Sequence, residues 1–213
     1  MTKSNLYIIG AGGLGREMES WLERTPRCER DWELAGYLDS GYAPGRLRYP
    51  SDLSIIGNPI DFSYKSDDYV IIAIADSGAR EELYFTLKER VSFFTYIDQT
   101  AIIGKFSSIG EGSIVCPNSI VSTNVKLGLC SILNAGSHIG HDSSLGNFCS
   151  IMPNCDIGGG CTLGHRVFMG TNSSICPGKA IGDNTKVSAG CVITRTYRQS
   201  GLTVYGNPSK RLR

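Results

Sequence analysis

From Ile103 onward the chain repeats one pattern every six residues. Ile103, Ile109, Val115, Val121, Leu127, Leu133, Ile139, Leu145, Ile151, Ile157, Leu163, Met169, Ile175, Ile181, Val187 and Ile193 form an aliphatic column with no break in register. The residue after each of these is glycine in nine of sixteen cases. Two places before the column the residue is small: Ser107, Ser113, Ser119, Ser131, Ser137, Ser143, Cys149, Cys155, Cys161, Ser173 and Cys191. A hexapeptide period predicts a parallel β-helix. Each short strand cannot bury its face alone, so stacked neighbours build one continuous core around the aliphatic column. The glycines are expected at tight corners, where a side chain or a negative φ would be strained.

Before the repeat the pattern alternates between strands and helices. Apolar runs predict strands at 6–9, 33–39, 69–75 and 91–97, with helices over 13–24 and 77–90. This alternation implies a parallel sheet in an abbreviated half-Rossmann arrangement. The first strand runs into Gly10-x-Gly12-x-x-Gly15, the dinucleotide fingerprint. A strand, glycine loop and helix present backbone N–H groups and a positive helix end to a phosphate. Asp39, 24 residues after Gly15, sits where such folds place a carboxylate on a ribose or base. A dehydrogenase needs a second mononucleotide half and a catalytic domain, and the repeat leaves no room for them. NAD is therefore not expected. The expected boundaries are an α/β domain over 1–97, a β-helix over 98–196 and a C-terminal tail over 197–213.

Composition narrows the classes further. The 213 residues are 41% hydrophobic and carry a net charge of +1, which argues against nucleic-acid or anionic-membrane partners. No stretch approaches the roughly 20 apolar residues of a membrane span. No signal-like segment precedes the first strand. The eight cysteines include no Cys-x-x-Cys and are expected to be reduced, small apolar residues in a cytoplasmic protein.

An unbroken register leaves no inserted loop for a private active site, so any site lies on the outer surface, closed by a second subunit. His141 falls two places after Ile139, where side chains face outward, and an 18-residue coil stacks it beneath Gly159. At the ordinary rung spacing of about 4.8 Å, a histidine base would face a glycine-exposed N–H able to hold an oxyanion. The competing reading is a surface histidine with no role. A zinc site of His138, His141 and His165, as in β-helix carbonic anhydrases, fits poorly. His165 lies 24 residues beyond His141, which is not a multiple of 18, so no metal is expected.

The repeat resembles the left-handed β-helix of the hexapeptide-repeat acyltransferases, in which three hexapeptides make one triangular coil. That likeness implies about five coils over 101–196 and a homotrimer with acyl-CoA in the groove between neighbouring helices. The whole chain resembles the bacterial nucleotide-aminosugar N-acetyltransferases, grouped with the sialic acid O-acetyltransferase-type enzymes. Their catalytic-histidine motif matches "HDSSLGNF", which implies His141 as general base with Asp142 beside it. Asn134 in "ILNAGS" and Gly159 match their acetyl-transfer site. Neighbours on a strand point to opposite faces, so Asp142 orients His141 only if the corner turns it back or if it acts across the trimer interface. Ser150 stands where many relatives carry a second histidine, which puts the acceptor's identity in question.

The tail "VYGNPSKRLR" resembles the Gly-x-Pro-Ala-Lys segment of these enzymes and implies Pro208 and Lys210 near CoA. Gly170, Thr171, Ala189 and Gly190 would offer backbone amides to the pantetheine arm. The likeness also implies that Gly12, Gly13, Asp39, Ala75, Asp76 and Arg80 hold the nucleotide of a nucleotide-linked sugar, usually a uridine diphosphate sugar. The expected activity is acetyl-CoA-dependent N-acetylation of a nucleotide-linked, 4-amino-4,6-dideoxy sugar in surface-glycan biosynthesis. The alternatives are O-acetylation of sialic acid or another sugar, and a trimeric scaffold without catalysis.

Overall fold

The computed structural model describes residues 3–41, 45–46 and 49–212. The chain divides into two units, Met1–Phe94 and Thr95–Arg213.

The first unit is an α/β layer structure. Its strands are β1 (Ser4–Ile9), β2 (Trp32–Leu38), β3 (Gly45–Arg46), β4 (Ser54–Gly57), β5 (Tyr69–Ile72) and β6 (Ser92–Phe93), in the sheet order β3-β4-β2-β1-β5-β6. All neighbours pair in parallel except β3 with β4. The central strands read as continuous apolar runs because both their faces are covered. Leu6, Ile8, Ile9, Val70, Ile71 and Ile72 are all buried. Helix α1 (Gly13–Glu23) follows β1 directly, and α2 (Ser77–Leu87) follows β5. The predicted strand over 91–97 is in fact two elements: β6 closes this sheet, and Tyr96–Ile97 is already the first rung of the second unit. The β3–β4 pair was not predicted; four and two residues are too few to show a period.

The second unit is a parallel β-helix with three flat faces. The first face stacks Tyr96–Ile97, Ile114–Val115, Ile132–Leu133, Ser150–Ile151, Phe168–Met169 and Lys186–Val187. The second stacks Ile102–Ile103, Ile120–Val121, His138–Ile139, Asp156–Ile157, Ser174–Ile175 and Val192–Ile193. The third stacks Ser108–Ile109, Lys126–Leu127, Ser144–Leu145, Thr162–Leu163 and Ala180–Ile181. From Val115 to Ile193 every member of the aliphatic column is buried, whereas Ile103, at the open end, is 37% exposed. The tail is part of the helix rather than an appendage. Thr203–Tyr205 adds a rung to the first face, Lys210–Arg211 pairs antiparallel with it, and Val204 and Leu202 seal the end of the core.

The column of small residues has a hydrogen-bonding reason. Oγ of Ser113, Ser131 and Ser143 each accepts the N–H of the residue 18 places on at 3.0 Å, and Oγ of Ser137 does so at 3.1 Å on the second face. A buried backbone donor is thereby satisfied on every face. The glycine column bears out the expectation that a side chain would be strained there and corrects the expectation about φ. Its φ angles are ordinary; positive φ falls two places later, on Asn118, Asn124, Asp142, Asn154, Asn172 and others, where asparagine and aspartate tolerate the left-handed region. Glycine is needed for space instead: a Cβ on Gly140 would lie 2.5 Å from the Gly159 nitrogen.

Candidate active site

The three faces meet at three edges: the first edge joins the first and second faces, the second edge joins the second and third, and the third edge joins the third and first. At each edge the residue two places after the aliphatic column, where it is not proline, has its N–H outside the backbone ladder. On the third edge these donors are capped by the side chain one coil up. Leu129 N–H donates to Asn147 Oδ1 at 3.0 Å, Asn147 N–H to His165 Nδ1 at 3.1 Å, and His165 N–H to Asp183 Oδ1 at 2.9 Å. The second edge stacks His141, Gly159, Pro177 and Arg195 in the same places. Gly159 has no side chain to cap His141, and Pro177 has none that accepts a hydrogen bond from Gly159. Neither N–H has an acceptor among the described residues.

The His141 ring is oriented by the carboxylate beside it. Its Nδ1 lies 2.7 Å from Asp142 Oδ2, and Asn124, one coil below, donates to Asp142 Oδ1 at 2.7 Å. The positive φ of Asp142, 60°, turns its side chain back beside His141, which resolves the objection from strand alternation. The Asn124 bond, followed by the His141 bond, holds the Asp142 carboxyl below its ordinary range. An ionised carboxylate only accepts, so Nδ1 carries the proton and the neutral ring leaves Nε2 as an acceptor. That nitrogen faces Gly159: a Cβ there would sit 2.6 Å from it. Asn124 was not anticipated, although the 18-residue arithmetic that paired His141 with Gly159 also pairs Asn124 with Asp142.

Above His141 the second edge runs three rungs, roughly 14 Å at the usual spacing, to Arg195. There an open cleft of about 900 Å³ is lined by Arg195, Tyr205, Lys210, Arg211 and Leu212. Lys210 thus belongs to a cluster of three cations suited to phosphates; Arg195 and Arg211 escaped the sequence reading because only the closing hairpin brings them to it.

Other expected residues are placed elsewhere. Asn134 lies on the first edge, away from His141, and its Oδ1 accepts the Ala135 N–H at 2.7 Å. Gly170, Thr171, Ala189 and Gly190 share that first edge. Two of their four amides are already committed, Gly170 N–H to Val187 at 2.8 Å and Gly190 N–H to Thr171 at 2.9 Å. Only Thr171 and Ala189 present open donors, because only the outward position escapes the ladder. Ser150 is fully buried on the first face. His165 is committed to the third edge, and His138 lies on the second face. Among the described residues no group of three or more His, Cys, Asp or Glu side chains could hold a metal. Burial pushes the thiols of Cys155, Cys161 and Cys191 up, away from thiolate nucleophiles.

In the first unit the glycine loop opens toward solvent. Added Cβ atoms at Gly12 and Gly13 would meet nothing within 4 Å, whereas one at Gly15 would overlap the Gly10 carbonyl. The N–H groups of the first turn of α1 have no intrahelical acceptor. Asp39 braces this loop, with Oδ2 accepting the Ala11 N–H at 2.7 Å and Oδ1 accepting the Gly41 N–H at 2.8 Å. Asp76 caps α2 by accepting the Ala79 N–H at 2.8 Å, and Ala75 is exposed beside it. Arg80 departs from the expected contact role. It is 1% exposed, and its Nη1 donates to the carbonyls of Ile74 and Ala75 at 2.7 and 3.0 Å, so it shapes the loop from beneath.

A hexapeptide β-helix with a carboxylate-oriented histidine on one edge fits the left-handed β-helix acyltransferases. Residues 5–87 match the PglD N-terminal domain family. The chain is 26% identical over 218 residues to GDP-perosamine N-acetyltransferase from Escherichia coli O157:H7, covering 98% of this chain and 97% of that one. Its structure is similar to WeeI from Acinetobacter baumannii, with a TM-score of 0.86, 26% identity and 99% and 100% of the chains covered. It is also similar to a histidine-to-asparagine variant of perosamine N-acetyltransferase from Caulobacter crescentus, solved with CoA and GDP-perosamine. That match has a TM-score of 0.84 and 25% identity and covers 98% and 97% of the chains. Residues 5–87 are a PglD N-terminal domain, and over nearly its whole length the chain is similar to nucleotide-aminosugar N-acetyltransferases.

Proposed function

We propose that the protein transfers the acetyl group of acetyl-CoA to the amino group of a nucleotide-linked amino sugar. The observation that carries this reading is the His141 ring, fixed through Nδ1 by Asp142 and free at Nε2 beside the bare Gly159 backbone. The acceptor nitrogen attacks the thioester carbonyl carbon and gives its proton to Nε2. The Gly159 N–H stabilises the tetrahedral oxyanion. The C–S bond then breaks, and the leaving thiolate recovers a proton from the imidazolium. No cysteine is required.

The phosphates of acetyl-CoA are assigned to the cleft of Arg195, Lys210 and Arg211, with the pantetheine arm running down the second edge to His141. Thr171 and Ala189 sit on the first edge, so they reach the same ligand only from a second copy. This supports a homotrimer whose sites are shared between neighbours. The glycine loop, Asp39 and the segment from Ala75 to Asp76 serve the nucleotide. Both substrates and the absence of any helix long and apolar enough to cross a membrane, among the described residues, fit a cytoplasmic enzyme.

The test is thiol release from acetyl-CoA with GDP-perosamine, the ligand of the Caulobacter relative, beside uridine- and thymidine-diphosphate 4-amino-4,6-dideoxy sugars and free sialic acid. Turnover with one nucleotide-linked amino sugar is expected. Turnover with sialic acid alone would replace the amine acceptor by a hydroxyl.

A further inference from the structure

The last turn of the β-helix buries one phenol that the mechanism above does not use. Tyr197 stands two residues after Arg195 and is 8% exposed. Its backbone is fixed against the third face on both sides. Its N–H donates to the Ala180 carbonyl at 2.8 Å, and its own carbonyl accepts the Gly182 N–H at 2.7 Å. The ring belongs to the same core cluster as Leu202 and Val204. An apolar residue would serve for that packing alone. A buried phenol hydroxyl needs hydrogen-bond partners, and here two residues of the cleft region supply them.

The Tyr197 hydroxyl accepts the Arg195 Nε–H at 2.9 Å and donates to the Ser209 carbonyl at 3.0 Å. Ser209 Oγ lies 3.2 Å away. The single phenol proton already goes to the carbonyl, so the serine hydroxyl is the donor in that contact, and the hydrogen-bonding capacity of the phenol is filled. Ser209 is itself 4% exposed, and its N–H donates to the Val192 carbonyl at 2.9 Å. The tail therefore enters the cleft at a fixed point. Beyond it Lys210 pairs with Tyr205, and Arg211 Nη1 donates to Gln199 Oε1 at 3.0 Å. The Arg195 guanidinium carbon stands 5.3 Å from the centre of the Tyr197 ring, and Nη2 reaches to 3.5 Å from the Ser209 carbonyl. Arg195 Nη1 has no partner among the described residues. The inner nitrogen of the fork is held while its outer edge stays open to a ligand.

We propose that Tyr197 is a positioning residue for the phosphates of acetyl-CoA: its hydroxyl locks Arg195 and the Ser209 end of the closing hairpin into one preformed site. This rests on the acetyl-CoA reading above and on the assignment of the phosphates to this cleft. A free arginine side chain populates many rotamers and loses them when it grips a ligand. One held in advance has given up that freedom during folding, so less of the phosphate contact is spent on ordering it. The phenol also sets which edge of the guanidinium is presented, and two parallel N–H groups meet one phosphate only in that orientation. Tyr197 adds no charge to the cleft. Its contribution is therefore confined to ligands that carry the phosphates and passes through Arg195.

Isothermal titration of the full chain with CoA, and with pantetheine, which lacks the phosphates, tests this. Tyr197→Phe keeps the ring and its packing and removes only the hydroxyl; melting followed by circular dichroism verifies that it is folded at the titration temperature. It is expected to weaken CoA about tenfold, the lower end of what a hydrogen bond to a charged group contributes, while pantetheine changes by less than about twofold. With an accepted amino sugar the same variant raises KM for acetyl-CoA about tenfold and moves kcat little, a split that general loosening of the fold would not produce. Arg195→Ala, at an exposed position, is expected to weaken CoA about a hundredfold through the lost phosphate contact. Adding Tyr197→Phe to it then costs nothing further, because the phenol acts through the guanidinium. A Tyr197→Phe loss that persists in the Arg195→Ala background, or that falls equally on pantetheine, overturns the positioning role, as does CoA binding unchanged from wild type. Arg195→Ala binding CoA like wild type removes the phosphates from this cleft and the proposal with them. Turnover that still required His141 would leave the acetyl-transfer reading standing in each of these cases.

Discussion

Two edges of one β-helix, built on the same six-residue repeat, end in opposite states. On the third edge Asn147, His165 and Asp183 each cap the outward N–H of the coil below. On the second edge glycine and proline replace the caps, and the freed space is filled by an imidazole that a carboxylate orients. Both edges carry a histidine two places after the aliphatic column. His165 spends its Nδ1 on a backbone donor; His141 spends its Nδ1 on Asp142 and keeps Nε2 open. What separates a structural histidine from a reactive one here is the partner of its Nδ1, a backbone N–H one coil below for His165 and the adjacent carboxylate for His141.

The contrast can be broken most severely at the base. His141→Ala is expected to lower kcat/KM by about 10²–10⁴, the usual contribution of a positioned general base, with little change in thermal stability. His165→Ala should do the reverse. Turnover stays within about twofold, while the orphaned Asn147 N–H costs about 1 kcal/mol, read as a lowered denaturation midpoint. Equal kinetic losses from the two would erase the distinction between the edges.

Asp142→Asn is expected to lower kcat by up to about 10⁴, because the amide can impose the unreactive tautomer on His141 without removing the base. The pH dependence sharpens this. The Asp142 carboxyl titrates below its ordinary range in the folded protein. Its contribution to stability is therefore complete above the usual carboxylate range and is lost only as pH falls through the lowered value. The acid limb of the rate profile should then report protonation of the base, and it should persist in Asp142→Asn. A limb that vanished in the variant would assign that titration to the carboxylate.

Gly159→Ala comes next. Its Cβ would press on the exposed His141 ring, which can swing aside, so the fold persists while the base is displaced; a loss of about a hundredfold is expected from misplacement on that scale. Ser174→Ala, a comparable surface change on the second face, should leave kcat unaltered.

The fold was largely legible from the chain. An inward column must be aliphatic at every sixth residue, and Val115 to Ile193 obey that without exception because a coil has no other way to fill its axis. The glycine loop before α1 was equally plain, since Gly10 takes a φ of 103° and Gly15 abuts the Gly10 carbonyl. Coil arithmetic also stacked His141 under Gly159. The same reasoning left two causes open for the glycine column, because space between coils and backbone strain leave the same mark in a sequence, and space is the one that holds. The resemblance placed Arg80 among the nucleotide contacts, yet its guanidinium is buried under the loop and bonded to the carbonyls of Ile74 and Ala75.

By itself the sequence determined the period, the stacking of coils and therefore which residues share an edge, because these follow from residue spacing along a regular helix. Only the tertiary structure decided which N–H groups remain open, how Asp142 turns back to His141, and that Asn134 and the first-edge amides lie apart from the base within one chain. Those outcomes depend on the direction of single side chains at corners and on three faces closing into a prism, and neither leaves a repeating mark along the chain.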